Sequence, residues 1–379
     1  MRIGILCRSD CGGSSHIAVE TAKELAGRGH RIHLFSLHPT FWLDGNCGEI
    51  VTHTVHQESH RGSSAMAESA DWPQEDRENI IRQILNVIRD EGLDILHVHY
   101  ALPFALVAAG IKRRLQNGRP LLIATLHGSD VSVHGLDPSR NRLLSAALKE
   151  FDALSTVSRN HAGLAKSIFG LPAEPVVIPN FINTAVFHPH GKIDLSPKPT
   201  LIHVSNFRSV KDCPGAVRIF SLVREKTAAQ LWFIGDGEER KTVEDMVSGE
   251  HWTKDLRFFG LRRNIAPIIA QADVMLMPSR VESFGLAALE AMACGVPVVA
   301  ARVGGLPEVV LHEKTGFLFE PGDYAGASKA LFRLLTDGDL YRTMHRASRA
   351  HACQYGIEKM ILQYEMMYGK TLGQEETFE

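Results

Sequence analysis

Hydrophobic positions along the chain fall in short β-branched runs separated by longer stretches with helical spacing, and the alternation persists beyond residue 300. That order predicts parallel α/β layers, because a parallel strand reaches its neighbour only through a crossover, usually a helix. In the first half, Arg2–Leu6, Arg31–Ser36, Ile95–His99, Leu121–Leu126, Ala153–Val157 and Val176–Pro179 read as strands. Ser15–Arg28, Gln74–Glu91, Leu102–Leu115, Arg140–Glu150 and Asn160–Phe169 read as helices between them. A second series starts at Thr200–Ser205 and continues with Gln230–Gly235, Arg257–Phe259, Asp273–Met277 and Val298–Ala301. After Asp323 the pattern is helical, with a closing segment from Tyr355 to about Lys370.

Two stretches break the rhythm. Asn46–Asp71, the core of a segment spanning 46–73, is polar and rich in His and Ser, and reads as a loop or poorly ordered insertion. His188–Pro199 (HPHGKIDLSPKP) has no period and reads as a linker. The expected organisation is an N-terminal Rossmann-like domain over 1–187, a second over 188–355, and a C-terminal helix over 356–379 crossing back to the first.

Composition narrows the class. With 379 residues the chain exceeds one ordinary core. A net charge of -2 argues against a large nucleic-acid footprint, yet leaves room for a local basic pocket. No run approaches the roughly 20 apolar residues of a membrane span. The six cysteines show no CxxC pairing and read as reduced thiols of a cytoplasmic protein.

Three constellations carry candidate chemistry. Cys11-Gly12-Gly13-Ser14-Ser15 follows the first strand and opens the first helix. Paired glycines there bring bare amides to an anion at a helix start, although a plain tight turn explains the motif alone almost as well. His203-Val-Ser-Asn206-Phe-Arg208-Ser-Val-Lys211-Asp212 ends the first strand of the second series. Ligands of open sheets bind at such ends, and Arg208 and Lys211 can clamp a diphosphate without a metal. Taken in isolation, they read first as two solvated surface cations. The strongest is Arg280-Val-Glu282-Ser283-Phe284-Gly285-Leu286 running through Glu290 to Gly295. Ser283 is the expected N-cap, Phe284 and Gly285 present amides, and Gly295 with Pro297 ends the helix. Glu282 lies before the helix and Glu290 inside it, so the two carboxylates suit a polyhydroxyl ligand.

Glu282 and Glu290, with seven residues between them, resemble the EX7E motif of family 4 retaining glycosyltransferases, which have the GT-B fold. ESFGLAALEAMACGVPVVA, VGGLPEVV, TGFLF, SNFRSVK and the GG turn extend the likeness over nearly the whole chain. DILHVHYALP, ATLHGSDV, GLDPS at 135–139 and IPNFINTAVF resemble the branch that transfers N-acetylglucosamine from UDP-N-acetylglucosamine to L-malate in bacillithiol biosynthesis. The resemblance implies two Rossmann-like domains facing each other across a cleft and closing on the donor. It implies that Gly13, Arg208 and Lys211 hold the diphosphate, that Glu290 binds ribose, and that Asn206 and Ser283 belong to the donor site. Glu282 would bind the sugar hydroxyls with the amides of Phe284, Gly285 and Leu286, and His127 would sit near the transferring carbon. Ser14, Tyr100 and Thr125 would form the acceptor side. The implied catalytic set is His127, Arg208, Lys211 and Glu282, with front-face attack, no protein nucleophile, no cofactor and no metal. Small-molecule donor and acceptor are the expected partners, without nucleic acid or an integral membrane segment; a homodimer is compatible. Two departures stand out: the turn reads GGSS where that branch has GGSG, and 46–73 lacks the branch's aromatic, proline-rich run.

His97 and His99 alternate on one strand, with His127 near a neighbouring one. They read as histidines lining a polar crevice rather than a metal site, since no acidic or Cys partner has supporting spacing. His53, His56 and His60 read as loop histidines. Three functional readings stay open: a retaining glycosyltransferase, acting on malate or on another acceptor such as a lipid or secondary metabolite; a nucleotide-sugar 2-epimerase on the same scaffold; and a nucleotide-sugar binding module without activity.

Overall fold

The computed structural model describes residues 1–43, 50–55, 73–115, 118–191 and 193–374. Its central strands are continuous apolar runs buried on both faces, the signature of parallel sheets covered by helices. The chain divides into two compact units, Met1–Pro179 with Glu358–Glu379, and Asn180–Ile357.

In the first unit β1 (Arg2–Leu6), β2 (Arg31–Ser36), β3 (Ile50–Thr54), β4 (Ile95–His99), β5 (Leu121–Leu126), β6 (Ala153–Thr156) and β7 (Val176–Val177) form a seven-stranded sheet. The order is β3-β2-β1-β4-β5-β6-β7, and every pairing is parallel. Helices α1 (Gly13–Gly27), α2 (Gln74–Glu91), α3 (Ala101–Lys112), α4 (Ser129–Ser132), α5 (Pro138–Leu148) and α6 (Arg159–Phe169) make the crossovers. Local chemistry sets their ends. Asp137 caps α5 by accepting from the Ser139 and Arg140 amides, and Pro138 follows it. Ser158 caps α6, and Gly170 closes it at φ 58°.

Two elements differ from expectation. β3 lies inside the stretch read as a loop: it is an edge strand pairing β2, with only Ile50 buried, so no apolar period announces it. His53 belongs to it and meets His33 at 3.0 Å rather than standing in a loop. The rest of that stretch, with His56 and His60, lies outside the described residues.

In the second unit β8 (Thr200–Val204), β9 (Gln230–Ile234), β10 (Leu256–Phe258), β11 (Val274–Met277), β12 (Val298–Ala301) and β13 (Gly316–Phe319) form a six-stranded parallel sheet, ordered β10-β9-β8-β11-β12-β13. The short strand β13, GFLF, has no counterpart among the expected strands. Around it lie α7 (Cys213–Arg224), α8 (Arg240–Val247), α9 (Ala266–Ile269), α10 (Leu286–Ala293), α11 (Leu306–Val309), α12 (Tyr324–Thr336) and α13 (Gly338–Ala352). Phe207, Phe220, Phe233, Leu276, Leu331 and Tyr341 belong to one apolar core that binds these layers.

The last helix, α14 (Ile357–Thr371), packs into the first unit through polar contacts. Glu365 accepts from Arg28 at 3.1 Å and meets His30 at 2.9 Å, while the Tyr368 hydroxyl meets His97 Nδ1 at 2.7 Å. Among the described residues no helix is long and apolar enough to cross a membrane.

Candidate active site

Both sheets have one place where strand order reverses direction, and open α/β sheets bind ligands beyond the strand ends there. In the second unit it lies between β8 and β11. The loop after β8 begins with a fixed imidazole: His203 is buried, its Nδ1 donates to the Leu276 carbonyl at 2.9 Å, and burial lowers its pKa to about 4. The neutral ring leaves Nε2 to accept from the Ser205 hydroxyl at 2.9 Å, and Ser205 Oγ in turn accepts from the Phe207 amide at 3.2 Å. Phe207 buries its ring and turns the backbone to φ 48°, leaving Asn206 and Arg208 exposed and Lys211 half-buried. Gly235 closes in from the next loop; a Cβ there would lie 1.8 Å from the Ser205 carbonyl, so no side chain is possible.

The loop after β11 meets this one directly. The Arg280 amide donates to the Val210 carbonyl at 2.8 Å, and Lys211 Nζ contacts Glu282 Oε2 at 2.5 Å. Glu282 is held through its backbone: its carbonyl accepts from the Gly305 amide at 3.0 Å, and a Cβ on Gly304 (φ 52°) would come within 1.8 Å of that oxygen.

Helix α10 starts at Leu286 with Gly285 at φ 100° as its N-cap. Ser283 therefore lies outside the capping position expected for it, because the left-handed turn at Gly285 delays the helix by two residues. The first amides of the helix, Leu286 among them, have no intrahelical acceptor. Gly295 (φ 77°) ends the helix as expected. Glu290 is buried inside α10, and burial pushes its carboxyl up to about 8. Arg208, Lys211, Glu282 and α10 with Glu290 thus gather at one switch point.

In the first unit the reversal lies between β1 and β4. Helix α1 begins at Gly13, earlier than expected, with Gly12 as an N-cap that has no side chain to offer. Asp10 supplies the missing acceptor: Oδ1 takes the Gly12 amide at 3.0 Å and the Ser15 hydroxyl at 2.6 Å, and Oδ2 takes Arg8 Nε at 2.6 Å. The second serine of GGSS therefore points inward and is fully buried, while Ser14 is half-buried and Gly13 exposed. After β4, Tyr100 adopts φ 79° and its hydroxyl meets Ser129 Oγ at 2.6 Å.

Thr125, expected on the acceptor side, is 0% exposed. Its hydroxyl meets His97 Nε2 at 2.8 Å and Ser155 at 2.7 Å, within the layer where α14 brings Tyr368 onto His97. It is a core group. His127 is buried one residue past β5 and shares a 3.0 Å contact with His99. Burial lowers its pKa to about 4 against the opposing pull of Asp130, so the imidazole is neutral at pH 7. Asp130 accepts from the amides of Ala101, His127, Gly128 and Val131, fixing the loop that presents His127. Arg8, Asp10 and Asp130 were not singled out in the sequence. The available signal was charge immediately beyond the ends of β1 and β5. Among the described residues, no group of three or more His, Cys, Asp or Glu is placed to hold a metal ion.

Comparison with known proteins extends this geometry. Residues 11–186 match Glycosyltransferase Family 4, and residues 190–351 match Glycosyl transferases group 1. The chain is 35% identical over 378 residues to N-acetyl-alpha-D-glucosaminyl L-malate synthase of Bacillus anthracis, covering 97% of this chain and 96% of that one.

The chain belongs to the family 4 glycosyltransferases.

Solved structures share the fold of this glycosyltransferase at low identity. Sucrose-phosphate synthase from Thermosynechococcus elongatus superposes with a TM-score of 0.83 at 20% identity, covering 99% of this chain and 100% of that one. Anabaena HepE in complex with UDP and glucose gives 0.79 at 18%, covering 97% and 99%. The two parallel sheets are those of a GT-B glycosyltransferase.

Proposed function

We propose that this glycosyltransferase moves N-acetylglucosamine from UDP-N-acetylglucosamine to the hydroxyl of L-malate, with retention at the anomeric carbon. The observation that carries the reading is the meeting of Lys211 with Glu282 at the switch point of the second unit, with Arg208 in the same loop as Lys211 and Glu290 within α10. The transferred sugar and the acceptor follow the relative, which is named for N-acetylglucosaminyl L-malate and matches along nearly its whole length, and the UDP carrier follows the motif resemblance.

In this reading the C1–O bond to the diphosphate breaks as the acceptor oxygen bonds C1 from the same face. Negative charge grows on the leaving phosphate, and Arg208 and Lys211 stabilise it there, the step at which fixed charge lowers a barrier most. A leaving phosphate oxygen takes the acceptor's proton. Lys211 serves two masters: it neutralises Glu282 before the donor arrives and the diphosphate afterwards, freeing Glu282 to accept sugar hydroxyls. Glu290, protonated at neutral pH, can both donate to and accept from a ribose diol.

The test is UDP release from UDP-N-acetylglucosamine with and without L-malate. Acceptor-dependent release with a product of the combined mass supports the reading. A sugar epimer without acceptor, or no turnover, contradicts it.

A further inference from the structure

The loop that carries Arg208 and Lys211 is gripped by the segment after β9, Gly235-Asp236-Gly237-Glu238-Glu239, which leads into α8. The two backbones approach closely. The Ser205 amide donates to the Ile234 carbonyl at 3.1 Å, and the Glu239 amide donates to the Phe207 carbonyl at 2.8 Å. A Cβ at Gly237 would lie 2.0 Å from the Asn206 carbonyl oxygen, so no side chain fits between the segments there. Two successive carboxylates then take amides on either side of Lys211. Glu238 Oε1 accepts from Ser209 at 2.9 Å, and Glu239 Oε2 accepts from Cys213 at 3.1 Å. The second bond has a local cause. Cys213 is the first residue of α7, and its N-cap, Asp212 at φ 50°, makes no side-chain cap bond. The Asp212 carboxylate instead accepts from Tyr324 at 2.7 Å and from Arg280 at 3.4 Å. An amide left over at the helix start therefore finds its acceptor on a different element.

We propose that Glu239, assisted by Glu238, is a positioning residue for diphosphate binding, acting through Arg208 and Lys211 rather than on the substrate. The inference rests on the phosphate-clamp reading of those two cations. Arg208 lies between Phe207, whose carbonyl is held by the Glu239 amide, and Ser209, whose amide is held by the Glu238 side chain. Lys211 lies between Ser209 and Cys213, whose amide is held by the Glu239 side chain. The backbone on both sides of each cation is thus fixed before a ligand arrives, and charge set in place beforehand stabilises a developing anion without the cost of gathering it. Both carboxylates direct their charge at amides, while Lys211 Nζ pairs with Glu282.

Titration calorimetry with UDP reads the clamp without an acceptor. The full-length wild type, Glu239→Ala, Glu239→Gln and Glu238→Ala are compared, with Asp245→Ala as a control at an exposed ion pair of α8. Glu239→Ala weakens UDP binding about 10-fold or more, the scale of a lost hydrogen bond to a charged group. Glu239→Gln, which keeps an oxygen for the Cys213 amide, recovers most of that affinity, and Asp245→Ala matches the wild type. In a Lys211→Ala background the loss caused by Glu239→Ala shrinks at least about threefold, because much of its effect passes through that cation. Equal losses in the two backgrounds, a glutamine variant as weak as the alanine one, or a UDP affinity that Glu239→Ala leaves unaltered overturns the proposal while the clamp stands. If Glu239→Ala fails to fold, Glu238→Ala carries the measurement, since its side chain is exposed; wild-type UDP affinity in that variant then overturns the proposal. A wild type that binds no UDP, or whose UDP affinity Lys211→Ala does not change, overturns the clamp as well.

Discussion

Glu290 is a carboxyl group enclosed by an apolar helix, and enclosure raises its pKa from an ordinary 4.5 to about 8. Between those values the folded protein binds a proton that the unfolded chain releases, so stability falls as pH rises through the window, by about 1.4 kcal/mol per pH unit. Below pH 4.5 and above pH 8 the group adds no slope. Urea unfolding of wild type and Glu290→Gln should therefore diverge steadily from pH 5 to pH 8, the glutamine variant gaining. Parallel curves would show that this carboxyl is solvated. The proposed phosphate clamp acts on rate instead. Arg208→Ala and Lys211→Ala should each lower kcat about 10²- to 10³-fold, the scale of a lost oxyanion contact, with an unchanged circular dichroism spectrum. Turnover at the wild-type rate in either variant removes the phosphate clamp. That Arg208, Lys211, Glu282 and Glu290 stand beyond a strand end or in the helix that follows was legible in the sequence. Thr125 misled for a reason the sequence does not hold: the closing helix places Tyr368 on His97, and Thr125 is spent inside that layer.

At the scale of elements, loops packed backbone to backbone leave no space for a side chain. Gly304→Ala would push a methyl group into the Glu282 carbonyl and demand φ 52° of an alanine, so it should cost more than about 3 kcal/mol in urea unfolding and release Glu282 from its place. A loss below about 1 kcal/mol would mean that the 303–305 turn is free to move. The facing ends of β4 and β5 bury His97, His99 and His127, all with pKa lowered chiefly by burial, His97 to about 3. Here the unfolded chain binds the extra protons below pH 6.5, so the stability these neutral rings allow is intact above 6.5 and lost as pH falls towards 3. The slope of stability against pH below 6.5 should shrink in His99→Gln, and an unaltered slope would place His99 in solvent. The parallel strands could be read directly from their apolar runs. β3 could not, since an edge strand with one buried residue carries no period, and the α10 start was misplaced because a left-handed Gly285 outranks Ser283 as its cap.

On the scale of the whole molecule, two parallel sheets each build their own core, and each sets its candidate site residues where its strand order reverses. The reversal between β8 and β11 collects cations and carboxylates; that between β1 and β4 collects the GG turn, Arg8 and Tyr100. The doubly wound class followed from the alternation of runs alone, whereas strand order, and with it the two switch points, depends on pairings that no local pattern records. The central claim is that protein cations carry the leaving diphosphate during retaining transfer. Its most direct test is proton NMR of the product formed from UDP-N-acetylglucosamine and L-malate in the presence of excess EDTA. The account predicts an undiminished rate and a product whose anomeric coupling matches the α configuration of the donor. A β-linked product, or a reaction that stops when divalent metal is withdrawn, would contradict it.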